Sequence, residues 1–551
     1  MSAVSITAPV DAAPASAAVA QNPPIPWLGI SAVLLGTFIS TLNGRLSTFG
    51  LGDIRGAVHA GFDEGAWITT SYTTAQMLIT PIAVWAGSIY GPRRVLLIAC
   101  SVFAVASLAM PWSQNLATLL SLQFASGLGS GCFMPLTLSF LLGRLPRKFW
   151  PYGIALYALH IDFSLNISAS LEGWYLEHGS WCWIYWQNVP LAAGMAACLY
   201  FGIRPVPVPA SAEAPAASRA VPSAPRKIDL FGLAASGVGL ALVYAALDQG
   251  NRLDWQNSGR VWGLMLGGAI LLISFWFHAT RSATSWINIR VALGYPLPVI
   301  LVLVTILRSS LLTTAFLIPQ FLGVVRGFHA LQIGDTLLWV ALPQLLLFPL
   351  AGHLLRYVDP RVPALVGLSL IGVAGLMVAH GLTPLWGSDQ FLLSQLIQAL
   401  GQSLAMTGVI YATVLNMRMD IALTFGALLQ IARLMGGELG TAFVATFHRI
   451  REQRASNLIG AHIQSGAEEV LQRVQAYGHV LARSGHLDSQ GSAATSVLGR
   501  VVHDAATTQG VIDGFAALGV TVTIGLFALS MLRLPAEAAP HPPESKGREL
   551  R

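Results

Sequence analysis

Residues 204–227 read "RPVPVPASAEAPAASRAVPSAPRK". The stretch is mostly Pro and Ala and has no apolar face to bury, so it reads as a linker rather than part of a core. Its meaning comes from what flanks it. Apolar runs of spanning length precede it at 27–49, 66–90, 95–112, 116–142, 151–172 and 183–203. Others follow at 229–248, 261–279, 297–317, 335–355, 363–382, 390–414, 422–446 and 512–532. About twenty mostly apolar residues suffice to cross a bilayer. The expected fold is therefore all-α and polytopic, with about fourteen transmembrane helices in two unequal parts.

The totals agree. Of 551 residues, 54% are hydrophobic and only 10% charged, against roughly a quarter charged in soluble domains. Mean hydropathy is +0.62. The net charge of +6 would raise the question of nucleic acid in a soluble protein. Here the basic residues crowd into short loops after even-numbered runs: Arg93 and Arg94, then Arg144, Arg147 and Lys148, later Arg356 and Arg361. Loops rich in Lys and Arg stay in the cytoplasm. This places both termini on the cytoplasmic side of the membrane, and the partner of the apolar runs is lipid, not nucleic acid.

The expected division is a disordered cytoplasmic N-tail (1–26), a six-helix bundle (27–203) and the linker (204–228). Two inserted helices (229–280), the remaining bundle helices (281–446), a long outer loop (447–511), a last span (512–533) and a cytoplasmic C-tail (534–551) follow. The outer loop contains helical apolar spacing at "NLIGAHIQSGAEEVLQRVQAYGHVLA", so one or two surface helices are expected there. The N-tail has no basic residue and does not read as a signal peptide.

Enzymatic chemistry has little footing. There is no HExxH, no GxSxG and no paired catalytic set. "GLGSG" (127–131) lies in a span without a Lys partner, so it reads as helix packing rather than a phosphate loop. Cys100, Cys132, Cys182 and Cys198 form no CxxC pair. His462, His479 and His486 lack metal spacing. The expectation is no enzyme, no cofactor and no metal. Two helical halves around a polar middle suggest a secondary transporter, whose site lies near the midplane between them.

Particular stretches sharpen this: "LDQGNRLDWQNS" (247–258), "GAWITTSY" (65–72), "WCWIYWQNVP" (181–190), "IPQFLGVVRGF" (318–328) and "ARLMGGELGTAF" (432–443). Together they resemble the fourteen-helix drug:proton antiporters of the major facilitator superfamily, the EmrB/QacA group, with its EmrB branch nearest. The likeness runs in order from about residue 27 to 533. It implies two six-helix bundles with two inserted helices. It also implies export of small amphipathic toxic compounds driven by inward proton flow, and work with a periplasmic adaptor and an outer-membrane channel. The loop with Gly91, Arg93 and Arg94 matches the family's gating loop.

The departures are as informative. The family's acidic residue in helix 1 is here Asn43, with Arg45 two residues on. The Arg of helix 4 is Gln123. The "GPxxGG" of helix 5 is "SASLEG" (168–173), with Glu172 added, which puts direction and coupling in question. Charges inside a span need protein or water partners. Arg45, Asp162, Arg308, Arg433 and Glu438 are such charges. Asp162, Asn166 and Ser170 recur every four residues on one helix face, and Gln395, Gln398 and Gln402 line another. The expectation is that these residues, with Asn43 and Gln123, converge on one central pathway for substrate and protons. Arg45 and Arg308 would hold Asp162 or a substrate carboxylate in turn, since a guanidinium binds carboxylates in two hydrogen bonds. Organic anions are therefore candidate cargo.

Plainer readings stand beside these. Arg45 could snorkel outward, Asp162 could be a fixed partner of an Arg, and Glu172 and Glu438 could meet water near the outer surface. The Gln stripe could glue helices together, and His160 could pack away from Asp162. Two further functions stay open: uptake or facilitated movement of a metabolite, and a receptor or assembly component that no longer transports.

Overall fold

Inside a bilayer the backbone must satisfy its own hydrogen bonds, so each apolar run folds as a helix. The computed structural model describes residues 27–202, 229–282, 285–417, 422–463, 467–483 and 492–533. Its long helices are α1 (Trp27–Phe49), α2 (Trp67–Tyr90), α3 (Pro92–Ala109), α4 (Leu116–Gly131, resumed by Phe133–Arg144), α5 (Trp150–His178) and α6 (Asn188–Gly202). Then come α7 (Leu230–Gly250), α8 (Gly259–Arg281), α9 (Leu297–Val324), α10 (Ala330–Leu354), α11 (Arg361–Gly381), α12 (Leu392–Leu415), α13 (Ala422–His462) and α14 (Ser492–Ser530). Side-chain caps start several of them: Asn115 Oδ1 accepts from the Thr118 amide at 2.8 Å, and Asp229 Oδ1 from the Gly232 amide at 2.8 Å.

Ten helical segments among the described residues are long and apolar enough to cross a membrane. α2, α6, α12 and α13 are not among them. α6 has only 15 residues. The other three carry polar side chains that turn inward and are buried: Thr70, Gln76 and Thr80 in α2, the three glutamines of α12, and Gln430, Arg433 and Glu438 in α13. Polarity lowers their hydropathy without exposing it to lipid.

The helices α1–α6 form one bundle and α9–α14 the other. The inserted pair α7 and α8 pack on each other, and α7 leans on α2 and α13. The bundles meet where α5 lies against α10 and α2 against α13. Two glycines allow the α5–α10 approach. A Cβ on Gly334 would stand 2.5 Å from the Ser170 Cα, and one on Gly173 would stand 2.4 Å from the Leu331 amide nitrogen. The two backbones therefore nearly touch.

The outer segment 447–511, expected as a loop with one or two surface helices, holds such a helix and, beside it, continuations of the two flanking spans. α13 continues to His462 and α14 begins at Ser492, with a further helix at Glu468–Arg483. Arg451 Nε donates to Asp513 Oδ2 at 2.5 Å and joins the two extensions. Charged residues such as those of "REQR" (451–454) leave the apolar core yet remain good helix formers, so the helix runs on past the bilayer. The N-tail, the linker, the C-tail and His486 lie outside the described residues.

Candidate functional site

The middle of the bundle interface holds a cavity of about 20 Å³, room for about one water. Tyr157 and Ile161 of α5, Leu307 and Arg308 of α9, Val409 of α12 and Arg433 of α13 are among its walls. To either side of it α5 and α10 stay in close contact, with Gly352 against Pro151 and Ala155 and Gly334 against Ser170, and in this sense the interface is closed.

Asp162 lies beside this cavity on α5, with no solvent exposure. Neither carboxyl oxygen has a hydrogen-bond partner among the described residues. Arg308 is the cation near enough to act on it, yet Arg308 Nε and Nη1 are also unpartnered. Arg433 donates from Nε to Gln430 Oε1 at 3.1 Å. Arg308 lies within electrostatic reach of both Arg45 and Arg433. Three guanidiniums thus share the interface with one carboxylate.

One turn from Asp162, Asn166 Nδ2 donates to the Asp162 carbonyl at 2.9 Å, to Gln344 Oε1 at 3.3 Å and to Gln402 Oε1 at 3.2 Å. Gln344 Nε2 also donates to Gln402 Oε1 at 2.8 Å. These amides tie α5, α10 and α12 together. Gln398 Nε2 reaches Thr314 Oγ1 of α9 at 3.2 Å, while Gln395 Nε2 meets its neighbour Ser394 at 3.5 Å. Gln344 was missed in the sequence; an amide inside an apolar run, next to Pro343, was the available signal.

Arg45 does not pair with Asp162. Its Nη2 donates to the Ala315 carbonyl of α9 at 3.4 Å, and its guanidinium lies over the Phe49 ring at 5.2 Å. That carbonyl is free for a sequence reason. Pro319, four residues on within α9, has no N–H to donate to it.

Asn43 and Gln123 do not join the cavity. Asn43 Oδ1 accepts from Asn188 Nδ2 of α6 at 2.6 Å, and Gln123 Nε2 donates to the Tyr185 hydroxyl at 2.7 Å. Both lie inside the first bundle, where neutral amides replace the family's charges and fasten helices. Glu172 and Glu438 do not meet water either. Glu172 has no exposure and, among the described residues, no hydrogen-bond partner. Glu438 accepts from the Tyr244 hydroxyl of α7 at 2.8 Å. His160 turns aside, edge-on to Phe38 with ring centroids 6.2 Å apart. Gly91 turns the chain into α3 with a φ of +82°. Arg93 donates to the Tyr200 carbonyl of α6 at 2.9 Å, and Arg94 is exposed. This loop is thus tied within its own bundle.

Residues 33–441 match the Major Facilitator Superfamily family model. The chain belongs to this superfamily. It is a multi-pass membrane transporter acting on small molecules, and not an enzyme. It is 24% identical to an uncharacterised MFS-type transporter, YhcA, of Bacillus subtilis, with 78% of each chain covered. It is 21% identical to the multidrug export protein EmrB of Escherichia coli, covering 76% of this chain and 80% of that one. With the fatty acid resistance protein FarB of Neisseria gonorrhoeae it shares 22% identity over 89% of this chain and 91% of the other. The fold is similar to that of the proton:xylose symporter XylE, with a TM-score of 0.55, 10% identity, and coverage of 93% of this chain and 97% of that one.

Proposed function

We propose that this transporter exports small amphipathic compounds across the bacterial inner membrane, both termini inside, in exchange for protons carried by Asp162. The observation that carries the reading is the Asp162 carboxyl, fully buried at the closed interface with both oxygens unpartnered. An ionised carboxylate left so is strongly disfavoured, so this closed state suits the protonated acid. When the interface opens, water or Arg308 can receive the ionised form. The relatives named for multidrug export support export of amphipathic cargo. The departures at Asn43 and Gln123 are then losses from the first bundle, with the coupling acid moved to α5. A periplasmic adaptor and an outer-membrane channel complete the proposed route out of the cell.

Exchange demands that proton and cargo exclude each other. A cargo whose apolar body lies against Ile161, Leu307 and Val409 and whose cationic or donor group pairs with ionised Asp162 meets that condition. A carboxylate cargo does the opposite. It would take Arg308, release Asp162 to bind a proton, and travel with it, which is uptake. Three guanidiniums against one carboxylate favour this second reading for organic anions.

Energised inside-out vesicles with a pH-sensitive dye separate the two. Ethidium or tetraphenylphosphonium should dissipate the acid interior, and Asp162→Asn should abolish the response. A benzoate-driven increase in interior acidity, also lost in Asp162→Asn, would establish the second reading. Unchanged dissipation in Asp162→Asn would remove Asp162 from coupling.

A further inference from the structure

We propose that Glu172 is a second proton-binding site of the transport cycle, on the periplasmic side of Asp162. The inference rests on the exchange reading above and adds the route by which protons reach Asp162. Glu172 lies ten residues beyond Asp162 on α5, about 15 Å along the helix axis. It has no solvent exposure, and neither carboxyl oxygen has a hydrogen-bond partner among the described residues.

Among the described residues its surroundings offer no counter-ion. Just past the end of α1 it meets Gly50: a Cβ there would stand 3.4 Å from Glu172 Oε1 and 2.3 Å from Ile184 Cδ1. The charge that acts on it is Asp53, of the short helix Leu51–Ala57, and it has the same sign. From α10, whose Leu331 backbone covers the adjacent Gly173, the nearest ionisable residues are His329 and Asp335, both exposed. Glu177 and His178 in the last turn of α5 are exposed as well. Arg45 on α1 is engaged with the Ala315 carbonyl. A carboxylate between apolar contacts and another acid is disfavoured on both counts. The packing therefore suits the carboxylic acid, while opening of the outer side would wet it and let it release and rebind a proton. The chemistry is one O–H bond made or broken at the carboxyl group.

A polar path leads inward. Ser168 and Ser164 recur at four-residue intervals below Glu172, so they share its helix face, and both are fully buried. Each donates to its own helix, to Leu165 and Ile161 carbonyls at 2.8 Å, which leaves the lone pairs of both hydroxyls available to water. The row stops at Ser164, two residues short of Asp162, which lies on a different face of α5, so a proton completes the path through water admitted when the bundles part.

The test uses the full-length protein in lipid vesicles, as wild type, Glu172→Gln, Glu172→Asp and Asp162→Asn. Infrared difference spectra between acid and alkaline buffer read protonated carboxyl groups directly. Glu172→Gln should lose one carboxylic-acid band and Asp162→Asn a different one. Glu172→Asp should shift the Glu172 band, so the site stays testable where Gln impairs folding. Ethidium-driven proton movement should be lost in Glu172→Gln and in Asp162→Asn, and recover in Glu172→Asp. Loss in Asp162→Asn alone, with all bands kept in Glu172→Gln, overturns the Glu172 site and leaves the exchange reading intact. Loss in neither variant overturns the exchange reading and this site with it.

Discussion

Arg45 answers the question that its place in an apolar helix raises. A guanidinium inside a spanning helix costs up to about 3 kcal/mol on insertion scales, the most at the helix centre and less toward the end where Arg45 lies, and Pro319 supplies the compensation. Proline leaves the Ala315 carbonyl without its helical donor, and Arg45 fills the vacancy from the opposite bundle. The bond joins α1 to α9 and so holds the two bundles together. At 3.4 Å it is long, so about 1 kcal/mol is a fair magnitude, which is about a fivefold change in an equilibrium between closed and open forms. Arg45→Gln should shift the transporter toward the open form by that factor, and Arg45→Lys should preserve part of the link. Pro319→Ala should weaken it too, because a restored N–H competes for the same carbonyl. Reaction of a cysteine at Phe49 with an impermeant maleimide would report the shift; equal rates in Arg45→Gln and its parent would show that the bond holds nothing closed. The charge of Arg45 was visible in the sequence, and its partner was not, since a backbone carbonyl freed by a distant proline leaves no mark of its own in a pattern of residue types.

At the scale of elements, α5 and α10 do most to close the interface. Gly334 lies backbone to backbone with Ser170, and Gly334→Val has no flexible neighbour to displace. The variant should hold the helices apart and admit water to Asn166, buried at 4% exposure. A cysteine at Asn166 should then react with an impermeant maleimide only when Gly334 is replaced; no reaction in either background would show that the helices separate elsewhere. Outside the bilayer, between α10 and α11, Asp359 Oδ2 accepts from Arg361 Nη2 at 2.8 Å, and Arg361 Nη1 also reaches the Leu532 carbonyl at 3.2 Å. Partial burial works against the Asp359 charge, but the hydrogen bonds and charge of Arg361 outweigh it and hold the carboxyl below its ordinary value. That tie is complete above the ordinary Asp range near pH ~4 and is lost as pH falls through the lowered value. Amide exchange at the start of α11 should rise on that acid side, and Arg361→Gln should bring the same rise to neutral pH. Helix existence was legible in the apolar runs, because a stretch of about twenty mostly apolar residues stands out even where, as in α2, α12 and α13, inward polar side chains lower its hydropathy. Which polar residues meet was not. Asn43 and Gln123 share a residue class with Gln344 and Gln402, and only packing sends the first pair into one bundle and the second to the interface between bundles.

For the whole molecule, the proposed partners rest on the part that leaves the membrane. α13 has 41 residues and α14 has 39, about 60 Å each at 1.5 Å per residue, against a hydrocarbon core of about 30 Å. Both therefore project well beyond the bilayer as a paired stalk, fastened by Arg451 and Asp513, with Glu468–Arg483 packed on α14. Ile450, Leu458, Leu471, Val480 and Val501 stay exposed along it, although a structure needed only to join two spans has no use for apolar side chains in water. The transport machinery proposed here, from Asp162 to Glu172, lies wholly within the bundles. A variant that joins the two helices shortly after Arg451 and shortly before Asp513 should therefore keep cargo-driven proton movement in vesicles. In whole cells it should lose protection against the same compounds, because cargo released into the periplasm can return. Polar substitutions at Leu458 and Leu471 should reproduce that split without shortening the chain. Protection that survives both changes would mean the stalk engages no adaptor, and transport lost in vesicles would mean it braces the second bundle instead.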